Sequence, residues 1–84
     1  MTRMTIVVEL FARLREIAGQ PCIHLELPES ATLAAVRRSM AAQVPEAASL
    51  LAKSAIAVNE NYADETVQLR PGDRVAVLPP VSGG

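Results

Sequence analysis

The C-terminal dipeptide Gly83-Gly84 is the part of this sequence whose residue types point most directly to chemistry. Two glycines leave the last carboxylate without a bulky side chain beside it, so a narrow enzyme channel could admit it. A carboxylate is a poor electrophile because its charge is delocalised, and acyl transfer from Gly84 therefore requires prior activation, for instance by transfer to a nucleotide phosphate. A partner enzyme must supply that activation. Taken as a bare dipeptide, Gly83-Gly84 is more often a frayed chain terminus.

The preceding segment, Pro79-Pro80-Val81-Ser82, favours an extended backbone. Successive prolines favour polyproline II, which loses less conformational entropy on being held extended than a glycine-serine chain would. Six residues at roughly 3.3 Å each span on the order of 20 Å, which is about the depth of an enzyme cleft. We therefore predict a flexible C-terminal tail of residues 79–84 on a domain of residues 1–78, with the tail inserted into a partner.

Cys22 and His24 are the other residues with obvious chemical potential. They lie two apart, so on a strand they share one face and could form a nucleophile pair or half of a metal site. Nothing in the neighbouring sequence completes either site, and the chain has one cysteine and one histidine. The pattern favours a plain half-exposed strand, and we predict no catalytic residue and no metal ligand.

Two further polar groups have simple structural explanations. Arg37 and Arg38 could bind a nucleotide or an acidic partner, but a solvated helix face explains them as well. Asp73, which follows Gly72, is expected to satisfy the backbone of a turn and to have no acid/base role. We assign no functional site to these residues.

Composition limits the class of protein. Eighty-four residues, half of them apolar, suffice for one domain with a mostly aliphatic core, because only Phe11 and Tyr62 are aromatic. A formal charge of -1 without a basic run argues against nucleic acid as a partner. No segment is apolar for the roughly 18 residues that a membrane helix needs, so we expect a cytoplasmic protein without a membrane partner.

The first half of the chain predicts two strands and two helices. Residues 5–11 alternate like a strand, with Ile6, Val8 and Leu10 on the buried face. A short helix over residues 12–18 and a strand over residues 22–27 follow. Thr32 is a plausible N-cap for a longer helix over residues 33–44, which Pro45 ends.

The second half predicts shorter elements. Residues 46–53 are rich in alanine and leucine and could form another helix before a strand at Ala55–Val58. A turn over residues 69–73 precedes the last strand, Arg74–Leu78, which Pro79 and Pro80 end. A sheet with one face covered by the long helix buries both apolar surfaces, which predicts a two-layer α+β domain.

Taken together, these residues resemble the MoaD family, the small sulfur-carrying subunits of molybdopterin synthase. The resemblance covers nearly the whole chain and rests on four segments. They are Phe11-Ala12-Arg13-Leu14-Arg15-Glu16, Ala57-Val58-Asn59, the final turn and strand with Gly72-Asp73, and the terminal Pro79-Pro80-Val81-Ser82-Gly83-Gly84. The terminal segment is by far the most specific of them.

The resemblance implies an α+β fold of the ubiquitin-like β-grasp type, with a mixed sheet and one main helix packed on one face. It also implies a mechanism. An adenylating enzyme related to ubiquitin activators would use ATP to form an acyl-adenylate at Gly84, sulfur from a donor protein would replace AMP, and the thiocarboxylate would give its sulfur to cyclic pyranopterin monophosphate. Two such transfers create the dithiolene of molybdopterin.

The implied partner is a large synthase subunit that carries the catalytic residues, in a heterotetramer. The tail residues Pro79, Pro80, Val81, Ser82 and Gly83 would be inserted into that subunit, and no cofactor would be bound permanently. The family often carries aromatic side chains just before the two prolines, where this chain has Val77 and Leu78. We predict that these two residues and Phe11 dock the partner.

Two alternatives stay open at this point. The chain could carry sulfur for another pathway, such as thiamine thiazole synthesis, although the terminal segment and residues 57–62 look more like the molybdopterin type. It could also be a ubiquitin-like module that binds partners without covalent use of its terminus, because one scaffold supports many functions.

Overall fold

A computed structural model describes residues 2–80 of the chain. The predictions on Val81, Ser82, Gly83 and Gly84 lie outside the described residues. Five strands and three helices are present in this part of the chain, in the following order. They are β1 (Arg3–Leu10), α1 (Ala12–Ala18), β2 (Cys22–Pro28), α2 (Leu33–Gln43), a 3-10 turn (Pro45–Ala47), α3 (Ala48–Lys53), β3 (Ala55–Val58), β4 (Asn61–Tyr62) and β5 (Arg74–Leu78).

The strands form one mixed sheet in the order β2-β1-β5-β3-β4. The β1 and β5 strands pair in parallel, with Leu10 opposite Val77, and the other neighbours pair antiparallel. The first and last long strands of the chain are therefore adjacent at the centre of the sheet. This arrangement confirms the predicted α+β domain with a mixed sheet and places the end of β5 beside the end of β1.

One face of the sheet is covered by the helices. Ile6, Val8 and Leu10 of β1 are buried as predicted, and they share a core with Leu33, Val36 and Met40 of α2. We call this packed side of the sheet the helix-covered face. Burial of each large aliphatic side chain there contributes about 1.5–3 kcal/mol relative to its exposure to water.

The start of α2 is placed correctly by the sequence, but for a different reason. Thr32 is the N-cap residue, yet its side chain makes no capping hydrogen bond. The backbone N–H groups of Leu33 and Ala34 donate instead to the carbonyl oxygens of Val67 and Glu65, at 3.1 and 3.2 Å. The loop before β5 therefore satisfies groups that the first helical turn leaves without an internal partner.

The interpretation of Arg37 as part of a solvated helix face is wrong. Its guanidinium donates to the carbonyl oxygens of Leu51 and Ser54 and from Nε to Oε1 of Glu65, the last at 2.8 Å. Arg37 is half-buried, whereas Arg38 is exposed as predicted. Arg37 therefore ties α2 to the end of α3 and to the loop before β5, because guanidinium donors can serve several acceptors at once.

The strand β4 was not predicted from the sequence. It has two residues, and Tyr62 pairs with Ala57 of β3 after a turn in which Asn59 and Glu60 have positive φ, 51° and 72°. Asparagine tolerates this conformation, but glutamate seldom adopts it. Two residues give too short a pattern for alternation to identify a strand.

Candidate functional site

The predicted tail begins directly at the end of the central strand β5. Leu78 is the last residue of β5 and pairs with Ala55 of β3, and Pro79 and Pro80 follow it. Pro79 is half-buried and Pro80 is exposed. The chain therefore leaves the sheet at the end where β1 also finishes. Residues near the ends of these two strands surround the root of the tail.

An apolar groove of about 590 Å³ lies at this point. We call it the tail-root groove, and it is lined by Phe11, Ala12, Arg13, Leu50, Leu78, Pro79 and Pro80. Six of these seven side chains are apolar. A groove of this composition favours contact with apolar side chains of another molecule, since few polar groups within it need partners of their own.

Phe11 reaches the groove because of the turn between β1 and α1. It is the N-cap residue of α1 and has extended backbone, and its ring is 40% exposed. The next residue, Ala12, has φ at 52°, in the left-handed region that alanine rarely adopts. Strained backbone of this kind often lies at functional sites, and here it lies in the wall of the groove.

Of the three predicted docking residues, two are accessible. Phe11 is exposed and Leu78 is half-buried, and both line the tail-root groove. The prediction for Val77 is corrected, because its side chain is fully buried in the core. Successive side chains of a strand point to opposite faces of the sheet, so Val77 and Leu78 cannot both face the same partner.

Leu50 is the groove residue that the sequence analysis missed. It is half-buried in α3, whereas the next residue, Leu51, is fully buried in the core. Adjacent residues of a helix lie about 100° apart around its axis, so one leucine of the pair packs inward and its neighbour is displaced toward the surface. That displacement is a signal that could have identified Leu50.

One charged residue, Arg13, lies in the wall of the groove. Arg13 lines it and forms an ion pair with Glu16 at 3.4 Å, with both side chains about 70% exposed. A pair this exposed contributes little to stability. A second, smaller depression of about 280 Å³ shares residues with the groove and is lined by Arg13, Leu50 and Lys53, among others. Arg13 is therefore the one charged residue among the described residues that line the tail-root groove.

The predicted strand positions of Cys22 and His24 and the predicted turn position of Asp73 are confirmed. The β2 strand has alternating burial, with Cys22 half-buried and His24 exposed. The carboxylate of Asp73 accepts hydrogen bonds from the Arg70 backbone N–H at 2.8 Å and from the Asn59 amide at 3.0 Å. Asp73 therefore stabilises the turn before β5.

A carboxyl group with a lowered pKa, that of Asp64, lies outside the residues that line the groove. The hydroxyl and the backbone N–H of Thr66 both donate to Asp64 Oδ1, at 2.5 and 2.9 Å, and they lower the pKa of the Asp64 carboxyl. These bonds form a local turn in the loop before β5. Between residues 2 and 80, no group of three or more His, Cys, Asp or Glu side chains is arranged to hold a metal ion.

No helix among the described residues is long and apolar enough to cross a membrane. The longest, α2, has 11 residues, and a membrane helix needs about 20.

Comparison with known proteins finds a matching family and relatives of similar length. The ThiS family matches residues 8–84. A molybdopterin synthase sulfur carrier subunit from Dictyostelium discoideum is 35% identical over 78 residues, which cover 89% of this chain and 91% of the relative. The resemblance predicted from the sequence is confirmed.

Solved structures agree on the fold. A protein from Pyrococcus furiosus, provisionally named molybdopterin converting factor, subunit 1, superposes with a TM-score of 0.83 at 30% identity, covering 93% of this chain and 99% of that one. A ubiquitin from Caldiarchaeum subterraneum shares the fold alone, with a TM-score of 0.69 at 19% identity over 99% of this chain and 100% of that one. The predicted ubiquitin-like β-grasp fold is confirmed.

Proposed function

Because the chain belongs to the ThiS family, we propose that it is the sulfur carrier subunit of a molybdopterin synthase. The observation that carries the proposal is the tail-root groove, an open apolar surface at the point where the chain leaves β5. The name of the Dictyostelium relative supports the same role. The chain would present sulfur and would not itself catalyse the transfer.

The reactive group in this proposal is the carboxylate of Gly84. One of its oxygens attacks the α-phosphate of ATP on a ubiquitin-activator-like adenylyltransferase, and pyrophosphate leaves. Hydrosulfide released by a sulfur donor protein then attacks the acyl carbon, the bond between that carbon and the AMP oxygen breaks, and AMP leaves. The product is a thiocarboxylate, so ATP is consumed by the activating enzyme and no cofactor is held by the carrier.

The thiocarboxylate would then donate its sulfur inside the large synthase subunit. Residues 79–84 would enter that subunit and place the sulfur beside cyclic pyranopterin monophosphate, and two rounds would build the molybdopterin dithiolene. Presentation inside a preformed pocket accelerates transfer because positioning replaces a random encounter. The catalytic side chains belong to the large subunit, and we propose a heterotetramer in the cytoplasm.

Docking would use the tail-root groove. Phe11 and Leu78 offer apolar side chains beside Pro79 and Pro80, and an apolar anchor from the partner could fill the volume between them and Leu50. Contacts of this kind commonly provide most of an interface's binding energy. Anchoring at the root of the tail also fixes where the distal residues enter the partner.

Two other functions compete with this one. A carrier for thiamine thiazole synthesis would use the same Gly84 chemistry, and a passive ubiquitin-like module would use none. Deletion of the gene distinguishes the molybdopterin role from the thiamine role. Loss of molybdoenzyme activity with normal growth without thiamine supports the molybdopterin role, whereas thiamine auxotrophy with normal molybdoenzymes would overturn it.

A further inference from the structure

Nearly all the cationic side chains of this protein are arginines. Of the eight lysines and arginines in the sequence, seven are arginines, and Lys53 is the only lysine. A lysine amine that has lost its proton is a good acyl acceptor, whereas arginine stays protonated and its guanidinium is not. Lys53 is therefore the only side-chain amine that an activated carboxyl group of the same chain could acylate.

Lys53 lies close to the root of the tail. It is the last residue of α3, and two residues later Ala55 pairs with Leu78 at the end of β5. One helical turn earlier, Leu50 lines the tail-root groove together with Pro79 and Pro80. Lys53 itself is exposed and lines the adjoining depression with Arg13.

No carboxylate within residues 2–80 forms an ion pair with the Lys53 amine. The four ion pairs within residues 2–80 involve arginines alone, at Arg13, Arg37 and Arg74. The amine is therefore not engaged by an acidic partner in the described part of the chain. The residue is exposed at the end of α3.

The length of the tail allows contact. From Leu78 the six residues 79–84 reach on the order of 20 Å. Lys53 is separated from Ala55, the pairing neighbour of Leu78, by two residues, which span at most about 7 Å. The tail is therefore long enough for the acyl carbon of Gly84 to reach the Lys53 amine without unfolding of the sheet. Because the two groups belong to one chain, the effective concentration of one near the other can be about millimolar.

We propose that Lys53 is a self-acylation site for the activated carrier, an inference that rests on the acyl-adenylate of the proposed function. The Lys53 nitrogen attacks the acyl carbon of Gly84, an amide bond forms, and the bond between that carbon and the AMP oxygen breaks. AMP leaves, and the nitrogen loses a proton to water. The product is a cyclic chain that cannot accept sulfur.

This inference gives the arginine-rich composition a role. Each additional lysine within reach of the tail would open another path by which the activated carboxyl group is lost before sulfur arrives. Arginine keeps the positive charge at positions such as Arg13, in the wall of the groove, without providing an acyl acceptor. The sulfur donor and Lys53 then compete for the same acyl-adenylate.

The test is to incubate the full chain with its adenylating enzyme and Mg-ATP in the absence of a sulfur donor. Intact-mass analysis should show a monomer lighter by one water, in a yield that does not depend on protein concentration. Trypsin should release fragment 75–84 joined to fragment 39–74 through Lys53, because cleavage after that lysine is blocked and the Arg70-Pro71 bond resists trypsin. Lys53→Arg should lower this yield roughly tenfold or more while leaving pyrophosphate release unchanged.

Two matched variants in the Lys53→Arg background sharpen the test. Arg13→Lys places an amine in the groove wall beside Pro79 and Pro80 and should restore the loss of water. Arg3→Lys places one at the start of β1, at the opposite end of the sheet from Leu78, and should not restore it.

The outcomes separate this inference from the proposed function. Release of pyrophosphate without loss of water contradicts the self-acylation site alone, and so does a link mapped to the amino group of Met1. Loss of water that persists unchanged in Lys53→Arg also contradicts it. Absence of pyrophosphate release contradicts the proposed adenylation and this inference together.

Discussion

The helix-covered face and the tail-root groove are both lined mainly by apolar side chains, yet one is closed and the other is open. Ile6, Val36 and Val77 are fully buried between the sheet and the helices. In the groove, Phe11 stays 40% exposed beside half-buried Leu78. Apolar surface left open at one place on a small domain commonly marks an interaction site.

The contrast separates stability from function along the chain. Residues 3–78 contain every helix and strand of the described part, and the buried core lies within them. The proposed chemistry lies beyond β5, in residues 79–84. Changes on the helix-covered face should therefore reduce stability, and changes at the groove and tail should reduce transfer.

The largest effect is expected at the end of the chain. Removal of Gly84, or addition of one bulky residue after it, should abolish sulfur transfer in a reconstituted synthase because the acyl group is lost or cannot enter the activating site. The midpoint of thermal unfolding should shift by less than about 2 °C, since terminal residues contribute little to a core. Variants that unfold instead would show that the tail is structural and would break the contrast.

A buried valine and an exposed one form the next comparison. Val36→Ala or Leu33→Ala should lower the free energy of unfolding by about 2–4 kcal/mol, because each leaves a cavity in a packed core. Val7→Ala, at a valine that is 40% exposed in β1, should cost less than about 1 kcal/mol. Urea denaturation measures both. Equal losses at Val36 and Val7 would contradict the assigned core.

The adjacent arginines of α2 offer a sharper pair. Arg37→Ala removes donors from the Leu51 and Ser54 carbonyl oxygens and should cost about 1–3 kcal/mol of unfolding free energy. Arg38→Ala, at an exposed neighbour, should change it by less than about 0.5 kcal/mol. The same denaturation experiment decides, and a larger loss at Arg38 would reverse the assignment.

Truncation of an exposed aromatic residue tests the groove. Phe11→Ala should weaken binding to the large subunit by about 1–2 kcal/mol, or roughly five- to thirtyfold in Kd, while unfolding changes by about 1 kcal/mol or less. Tyr62→Ala removes the other aromatic side chain, which is 74% exposed on β4 and outside the groove. Calorimetric titration should show an unchanged Kd for Tyr62→Ala; a greater loss there would move the docking surface.

The smallest effect concerns pH. Hydrogen bonds from the Thr66 hydroxyl and backbone lower the pKa of Asp64 in the folded protein. The contribution of these hydrogen bonds to folding stability is therefore present above the ordinary carboxyl pKa, about 4. It is lost as the pH falls through the lower pKa of the folded state. An NMR titration of Asp64 should move toward the ordinary pKa in Thr66→Val and stay low in Thr66→Ser. No movement in Thr66→Val would refute the hydroxyl's role.

Local patterns predicted the long elements well. Strand alternation identified the buried face of β1, and Gly19, with φ at 73°, ends α1 as expected. Arg74–Leu78 was predicted with its observed bounds because a proline-glycine turn precedes it and two prolines follow. These signals lie within a few residues of the structure that they determine.

Tertiary contacts decided the features that the sequence did not predict. The bonds of Arg37 reach residues 14 to 28 positions away, and the N–H groups of the first turn of α2 depend on the loop before β5. The groove joins Phe11, Leu50 and Leu78 from three separate elements. No local sequence pattern predicts contacts between residues this far apart in the chain. The positive φ of Ala12 is also not predictable from its residue type.

The most direct test of the central claim is the mass of the intact chain after incubation with its adenylating enzyme, Mg-ATP and a sulfur donor. We predict an increase equal to the exchange of one oxygen for one sulfur, located in the C-terminal fragment and absent when Gly84 is removed. A chain whose mass stays unchanged, although the same enzyme preparation adenylates a known carrier, would contradict the account.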